Sequence, residues 1–322
     1  MLTTSNAVVL ARGGSVATVV NASDGVAHII VAYDDSSGGS LTEYTWENNS
    51  FDEKAHVDLQ RRPLSLAVGD VNADGRPDLL VGLAAKLATA SIPAAVRFYV
   101  STVGASFLAD NKEPADLSLG STLNAPYALA VFPNLTSQRA LLAALRPGDN
   151  SNPSELRVYT SDAGNTFLPV TWTGITATAI QTMTAADLDQ DGQLDLVFGG
   201  YDNYAASGTL RKVVAVTKLG STNPVVMTLS IDGAVFGLQR IDWNQDGADD
   251  LFLWDEPDQT PGVVVPTILQ NKGGGVFATV PNAQLARKTV AVPAIVAPAA
   301  SACPPRLVFA DTYNSAIFVF SP

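Results

Sequence analysis

Short runs of Val, Leu, Ile and Phe, broken by Gly, Pro, Asn and Asp, recur from one end of the chain to the other. AHIIVAY (27–33), PDLLVGL (77–83), LDLVFGG (194–200), LFLWD (251–255) and RLVFAD (306–311) are almost continuously apolar. Runs of that length, bounded by turn residues, predict β-strands. LTEYTW (41–46), AVRFYV (95–100), ELRVYT (155–160), KVVAVTK (212–218), GVVVPTIL (262–269) and AIFVFS (316–321) predict further strands beside them. No segment sustains a period of 3.6 between helix caps, so the chain reads as all-β.

The runs belong to a repeat. AVGDVNADGRPDLLVG (67–82), TAADLDQDGQLDLVFGG (184–200) and RIDWNQDGADDLFLWD (240–255) share D-x-[DN]-x-D-G-x-x-D followed by an apolar run. Weaker copies fill the intervals. VVNASDGVAHIIVAY (19–33) keeps Asp24-Gly25 but has His28 at the ninth position, AVFPNLTSQRALLAAL (130–145) loses every carboxylate, and 291–311 keeps two strands around a Pro-rich loop. With His28, Asp78, Leu141, Asp195, Asp250 and Arg306 equivalent, the steps are 50, 63, 54, 55 and 56 residues. Six repeats follow, at roughly 14–60, 63–120, 127–175, 179–232, 236–285 and 288–322. Four short strands per repeat of this length is the pattern of a β-propeller. The last repeat shows three strands, so the N-terminal strand, expected over 6–12, is expected to complete it and close the ring as a single domain over 1–322. Six blades are expected, with seven as the alternative if the 63-residue step holds extra structure.

Alternating oxygen donors on a tight loop suit a hard cation, and calcium takes six to eight oxygens at about 2.3–2.6 Å. Gly at the sixth position permits the turn that brings positions one, three, five and nine onto one centre. An EF-hand needs Glu at position twelve between helices, whereas Val81, Phe198 and Leu253 stand there, inside predicted strands. Metal-free Asx-rich turns are the alternative, but three or four carboxylates within nine residues would repel one another.

At these residues the chain resembles the VCBS/FG-GAP repeats of bacterial and fungal extracellular proteins and of integrin α-subunit propellers. The resemblance spans about 15–320 and is specific at three loops. It implies calcium ligands in repeats two, four and five only: Asp70, Asn72, Asp74 and Asp78; Asp187, Asp189, Asp191 and Asp195; Asp242, Asn244, Asp246 and Asp250. It adds the position-seven carbonyls of Arg76, Gln193 and Ala248. About three ions, mainly structural, are expected. In the family these loops join the first and second strands on one face, and the loops joining strands two and three emerge on the other. There Tyr33-Asp34, Tyr201-Asp202, Trp254-Asp255 and Asp311 with Tyr313 occupy corresponding positions. An aromatic ring beside a carboxylate suits stacking on a sugar and bonding its hydroxyls, or holding a polar peptide.

Composition narrows the partners. The net charge is −12, which argues against nucleic acid as a partner, and three divalent cations would bring it to −6. One cysteine, Cys303, and two histidines, His28 and His56, leave no material for a disulfide framework or a Cys/His metal cluster. No apolar run reaches the ~18–20 residues of a membrane span. Calcium at extracellular levels matches sites of this kind, with dissociation constants of about 10⁻⁴–10⁻³ M. An extracellular or cell-surface location is therefore expected. The sequence MLTTSNAVVLARGG does not read as a secretory signal, which leaves an intracellular protein or a leader already removed, and calcium sites of this kind favour the second. The leading expectation is a non-catalytic, lectin-like or protein-binding module. The alternatives are a lyase or glycoside hydrolase using the top-face carboxylates, and a structural domain of a larger surface or toxin protein.

Overall fold

A computed structural model of the chain describes residues 3–8, 16–21, 27–33, 38–47, 50–86, 92–101, 106–108, 115–119, 125–134, 139–146, 154–161, 167–170, 180–201, 211–217, 225–231, 233–257, 265–280, 294–296, 306–311 and 316–321. These residues form 24 strands and no helix, arranged as six four-stranded antiparallel sheets. The first sheet runs β2 (Val16–Asn21), β3 (Ala27–Tyr33), β4 (Gly39–Glu47) and β5 (Ser50–Leu59). The second is β6 (Pro63–Gly69), β7 (Asp78–Leu83), β8 (Ala95–Tyr99) and β9 (Ala115–Ser118). The third is β10 (Ala128–Asn134), β11 (Arg139–Arg146), β12 (Glu155–Ser161) and β13 (Phe167–Val170). The fourth is β14 (Ile180–Ala186), β15 (Asp195–Tyr201), β16 (Arg211–Thr217) and β17 (Val225–Ile231). The fifth is β18 (Gly233–Ile241), β19 (Asp250–Pro257), β20 (Val265–Asn271) and β21 (Phe277–Val280). The sixth is β22 (Ala294–Val296), β23 (Arg306–Asp311) and β24 (Ala316–Ser321), with β1 (Thr3–Val8) at its far edge.

The apolar second strands explain the packing. Side chains alternate between faces, so a strand sandwiched by two neighbouring sheets is apolar at every position. In β7, Leu79, Val81 and Leu83 pack with Ile30 and Leu41 of the first sheet, and Leu80 packs with Leu129 and Leu142 of the third. In β15, Leu196 and Phe198 face the third sheet while Val197 faces the fifth. First strands adjoin along the chain: β2 with β6, β6 with β10, β10 with β14, and β14 with β18. β22 adjoins both β18 and β2. Three first strands carry a register shift at the same place, between Pro63 and Ser65, Ile180 and Thr182, and Val235 and Gly237.

β1 (Thr3–Val8) overlaps the strand expected over 6–12, pairing Thr3 with Ser321 and Val8 with Ile317; residues 9–12 lie outside the described residues. The first strand of the fifth repeat, β18, begins at Gly233, two positions after β17 ends at Ile231 and near the rough start at 236. The 63-residue step lies in loops around β8. Lys86 and Ile92 bridge before it, and after it Phe107 and Leu108 enter the core between the first two sheets. Among the described residues, no helix is long and apolar enough to cross a membrane.

Candidate metal centres

The three aspartate loops connect the first and second strands of sheets two, four and five, and they fold alike. Position four takes a left-handed backbone at Ala73, Gln190 and Gln245, with φ of 60°, 62° and 59°. The sixth-position glycines Gly75, Gly192 and Gly247 lie at φ of 82°, 85° and 83°. Two left-handed residues in one short loop cost strain, which glycine removes at one of them. The loop holds because each acidic side chain caps its own backbone. Asp70 accepts from the amides of Asp74 (3.2 Å) and Gly75 (2.8 Å), Asn72 Oδ1 from Asp74 (3.0 Å), and Asp74 from Arg76 (2.9 Å). The same bonds recur from Asp191 and Gly192 to Asp187, from Asp191 to Asp189, and from Gln193 to Asp191. They recur again from Asp246 and Gly247 to Asp242, from Asp246 to Asn244, and from Ala248 to Asp246. The position-seven residues Arg76, Gln193 and Ala248 therefore close the turn through their N–H groups.

The ninth residue behaves differently. Asp78, Asp195 and Asp250 open the second strands and are buried. Each accepts the position-two amide, from Val71, Leu188 and Trp243 respectively, at 2.9 Å. Asp78 also accepts from Ser101 N (2.8 Å) and Asp250 from Asn271 N (2.7 Å), which ties each loop to the end of its sheet's third strand. Burial pushes the Asp78 carboxyl up to about 6 and Asp195 to about 7, against the pull of these amides, and the neighbouring carboxylates push the same way. Asp250 is raised from the same leading cause. At Asp74, burial acts upward, but hydrogen bonds from Arg76 outweigh it and hold the carboxyl low.

Carboxylate oxygens of Asp187, Asp189 and Asp195 lie within 4.8 Å of one another. Two ligands of one ion bound at about 2.3–2.6 Å are separated by at most about 5 Å, so these oxygens fit a shared hard cation. A cleft of about 720 Å³ opens between this loop and 242–250, lined by Asp187, Gly192, Arg240, Asp246 and Lys272.

The degenerate first repeat substitutes another device. His28 Nδ1 meets Glu43 Oε1 at 2.6 Å. Glu43, fully buried in β4, also accepts from Ser106 Oγ, Phe107 N (3.2 Å) and Leu108 N (3.1 Å) of the second sheet's β8–β9 loop. His28 was visible in the sequence as the residue standing in for Asp, but its partner lies 15 residues away and carries no motif. Asn271 and Asp249, which bridge loops 187–195 and 242–250, likewise belong to no motif. The doubled Asp249-Asp250 was the one sign available.

The expected ligand face is placed in part. Tyr33 ends β3 but is only 7% exposed, with its hydroxyl 3.1 Å from that of Tyr44. Contrary to expectation its side chain is largely buried, with its hydroxyl meeting that of Tyr44 in the neighbouring strand of the same sheet. Tyr201 ends β15 and Asp311 ends β23. Trp254 and Asp255 lie within β19, paired with Pro266 and Val265, rather than in the loop beyond it. Asp34, Asp202 and Tyr313 lie outside the described residues.

Comparison with known families agrees with this geometry. A profile described as an FG-GAP repeat matches residues 63–82, which is β6, the first loop and most of β7. One described as an FG-GAP-like repeat matches 141–198, from β11 through the second loop into β15. No curated protein matches the chain. The chain therefore carries FG-GAP repeats, and its all-β architecture fits a β-propeller.

Proposed function

We propose that this chain is a calcium-stabilised, non-catalytic binding module of the extracellular space, built as a six-bladed β-propeller whose ring β1 completes. FG-GAP repeats point to a binding or adhesion-type repeat domain. The observation that carries the calcium reading is the threefold recurrence of one loop geometry, with the same backbone strain and the same capping bonds. Asp70, Asn72, Asp74 and Asp78 and their counterparts in the other two loops would hold one ion each. When bound, calcium supplies the positive charge that these carboxylates lack and locks the first inter-strand loop to its sheet. The order of the sheets, with β22 beside both β18 and β2, supports the ring.

The loops start the second strands, so the ends of those strands point to the opposite face. There Tyr201, Trp254, Asp255 and Asp311 form the ligand face, with a glycan or an extracellular protein surface as its partner. Probing a glycan array with calcium-loaded protein and with a Tyr201→Ala/Asp202→Ala/Trp254→Ala/Asp255→Ala variant tests this. Binding to related glycans that falls at least tenfold in the variant is expected. Undiminished binding by the variant refutes the proposed face. A blank array removes the glycan and leaves a protein surface as the partner.

A further inference from the structure

Loops 187–195 and 242–250 touch through two residues that neither cage uses as a ligand. Asp249 Oδ2 accepts from the Asp187 amide at 2.7 Å, while Arg240 Nε lies 3.2 Å from its Oδ1. Asn271 at the end of β20 is 1% exposed. Its Nδ2 donates to Leu188 O (3.1 Å) and Asp249 O (3.3 Å), its Oδ1 accepts from Gly273 N (2.9 Å), and its own amide donates to Asp250 Oδ1. The first turn of the fourth-repeat loop is thus held from the fifth repeat on both sides, at the Asp187 N–H and at the Leu188 carbonyl. Both holding residues attach directly to Asp250, Asp249 through the chain and Asn271 through a hydrogen bond. Among the described residues, loop 70–78 shows no such arrangement. Pro77 stands where Asp249 does, and Ser101 stands where Asn271 does.

We propose that Asp249 and Asn271 are positioning residues that couple the two cation loops, so that an ion in one pre-organises the other. The inference rests on the calcium reading above. A cation drawing on Asp250 fixes Asn271 and Asp249, and these fix the peptides that aim Asp187 and Asp189. The path is a contiguous chain of hydrogen bonds between two loops of defined geometry, and coupling is reciprocal.

Trp243, between the first two ligands of loop 242–250, gives a local readout, because it sensitises terbium luminescence from an ion bound in its own loop. Disabling the other loop with Asp189→Asn/Asp191→Asn should weaken terbium binding reported by Trp243 about fivefold or more, the lower end of ordinary allosteric coupling. Asp74→Asn, in the unlinked loop, is the reference for general effects and should cost less. In an Asn271→Ser background the fivefold loss should shrink below twofold, which closes a double-mutant cycle. If Asn271→Ser does not fold, Asp249→Asn serves as the second link variant. Equal Trp243-reported affinity with and without an intact 187–195 loop overturns the coupling and leaves the calcium reading standing. Absent luminescence, together with absent calorimetric heat on adding calcium to protein folded by circular dichroism, overturns both.

Discussion

Glu43 shows how much one side chain can hold. It is buried, yet burial's upward push on its carboxyl is outweighed by hydrogen bonds from His28, Ser106 and Leu108, so it titrates below its ordinary 4.5. A depressed carboxylate contributes stability that is present above the unfolded value and lost as pH falls through the folded one. The melting temperature of wild type should therefore exceed that of Glu43→Gln most clearly at pH 5 and above, with the gap closing below about 4.5. A gap that stays constant from pH 3 to pH 6 would show that the charge contributes nothing. Removing the acceptor altogether, in Glu43→Ala, strands buried donors from two sheets and should cost about 3 kcal/mol, read by denaturant unfolding.

At the level of the strand, sequence and structure agree best where burial is two-sided. β7 and β15 are legible because neighbouring sheets cover both of their faces, which enforces an unbroken apolar run. Gly82 marks how closely the elements approach. A Cβ there would lie 2.3 Å from Ser65 Oγ and 2.7 Å from the Pro126 carbonyl. Ser65 itself bonds that carbonyl at 2.6 Å, which pins the entry of the third sheet to the second. Gly82→Ala should therefore destabilise by about 1–3 kcal/mol, as overpacking does. A melting temperature within a degree of wild type would mean that the backbone relaxes freely at this point. β1 pairs with β24 at the edge of the last sheet, as its sequence predicts, although a strand with one free edge takes its register from a partner rather than from its own pattern.

For the whole molecule, the loops stand where sheets meet third-strand ends, so an ion at each would stabilise the assembled fold and not the unfolded chain. At a calcium concentration one hundred times the dissociation constant, each occupied loop would contribute about 2.7 kcal/mol by mass action. Chelation by EDTA should lower the melting temperature by several degrees, and calcium titration should restore it with a concentration-dependent midpoint. An unchanged melting temperature in protein shown to be metal-free would refute a structural role for calcium.

Taken alone, the sequence determined the all-β class, the six-repeat spacing and the three oxygen-rich loops. Each of these is written in local terms: apolar runs, turn residues, and carboxylates at fixed offsets from a glycine. Only the tertiary structure decided that Tyr33 is buried with its hydroxyl against that of Tyr44, that β1 takes in Thr3, and that Trp254 and Asp255 belong to a strand. It also decided the long-range partners, Glu43 for His28 and Asn271 for the peptide between Asp187 and Asp189. These contacts join residues 15 and 83 positions apart. A buried polar group must find a partner wherever the fold presents one, and no spacing along the chain encodes that meeting.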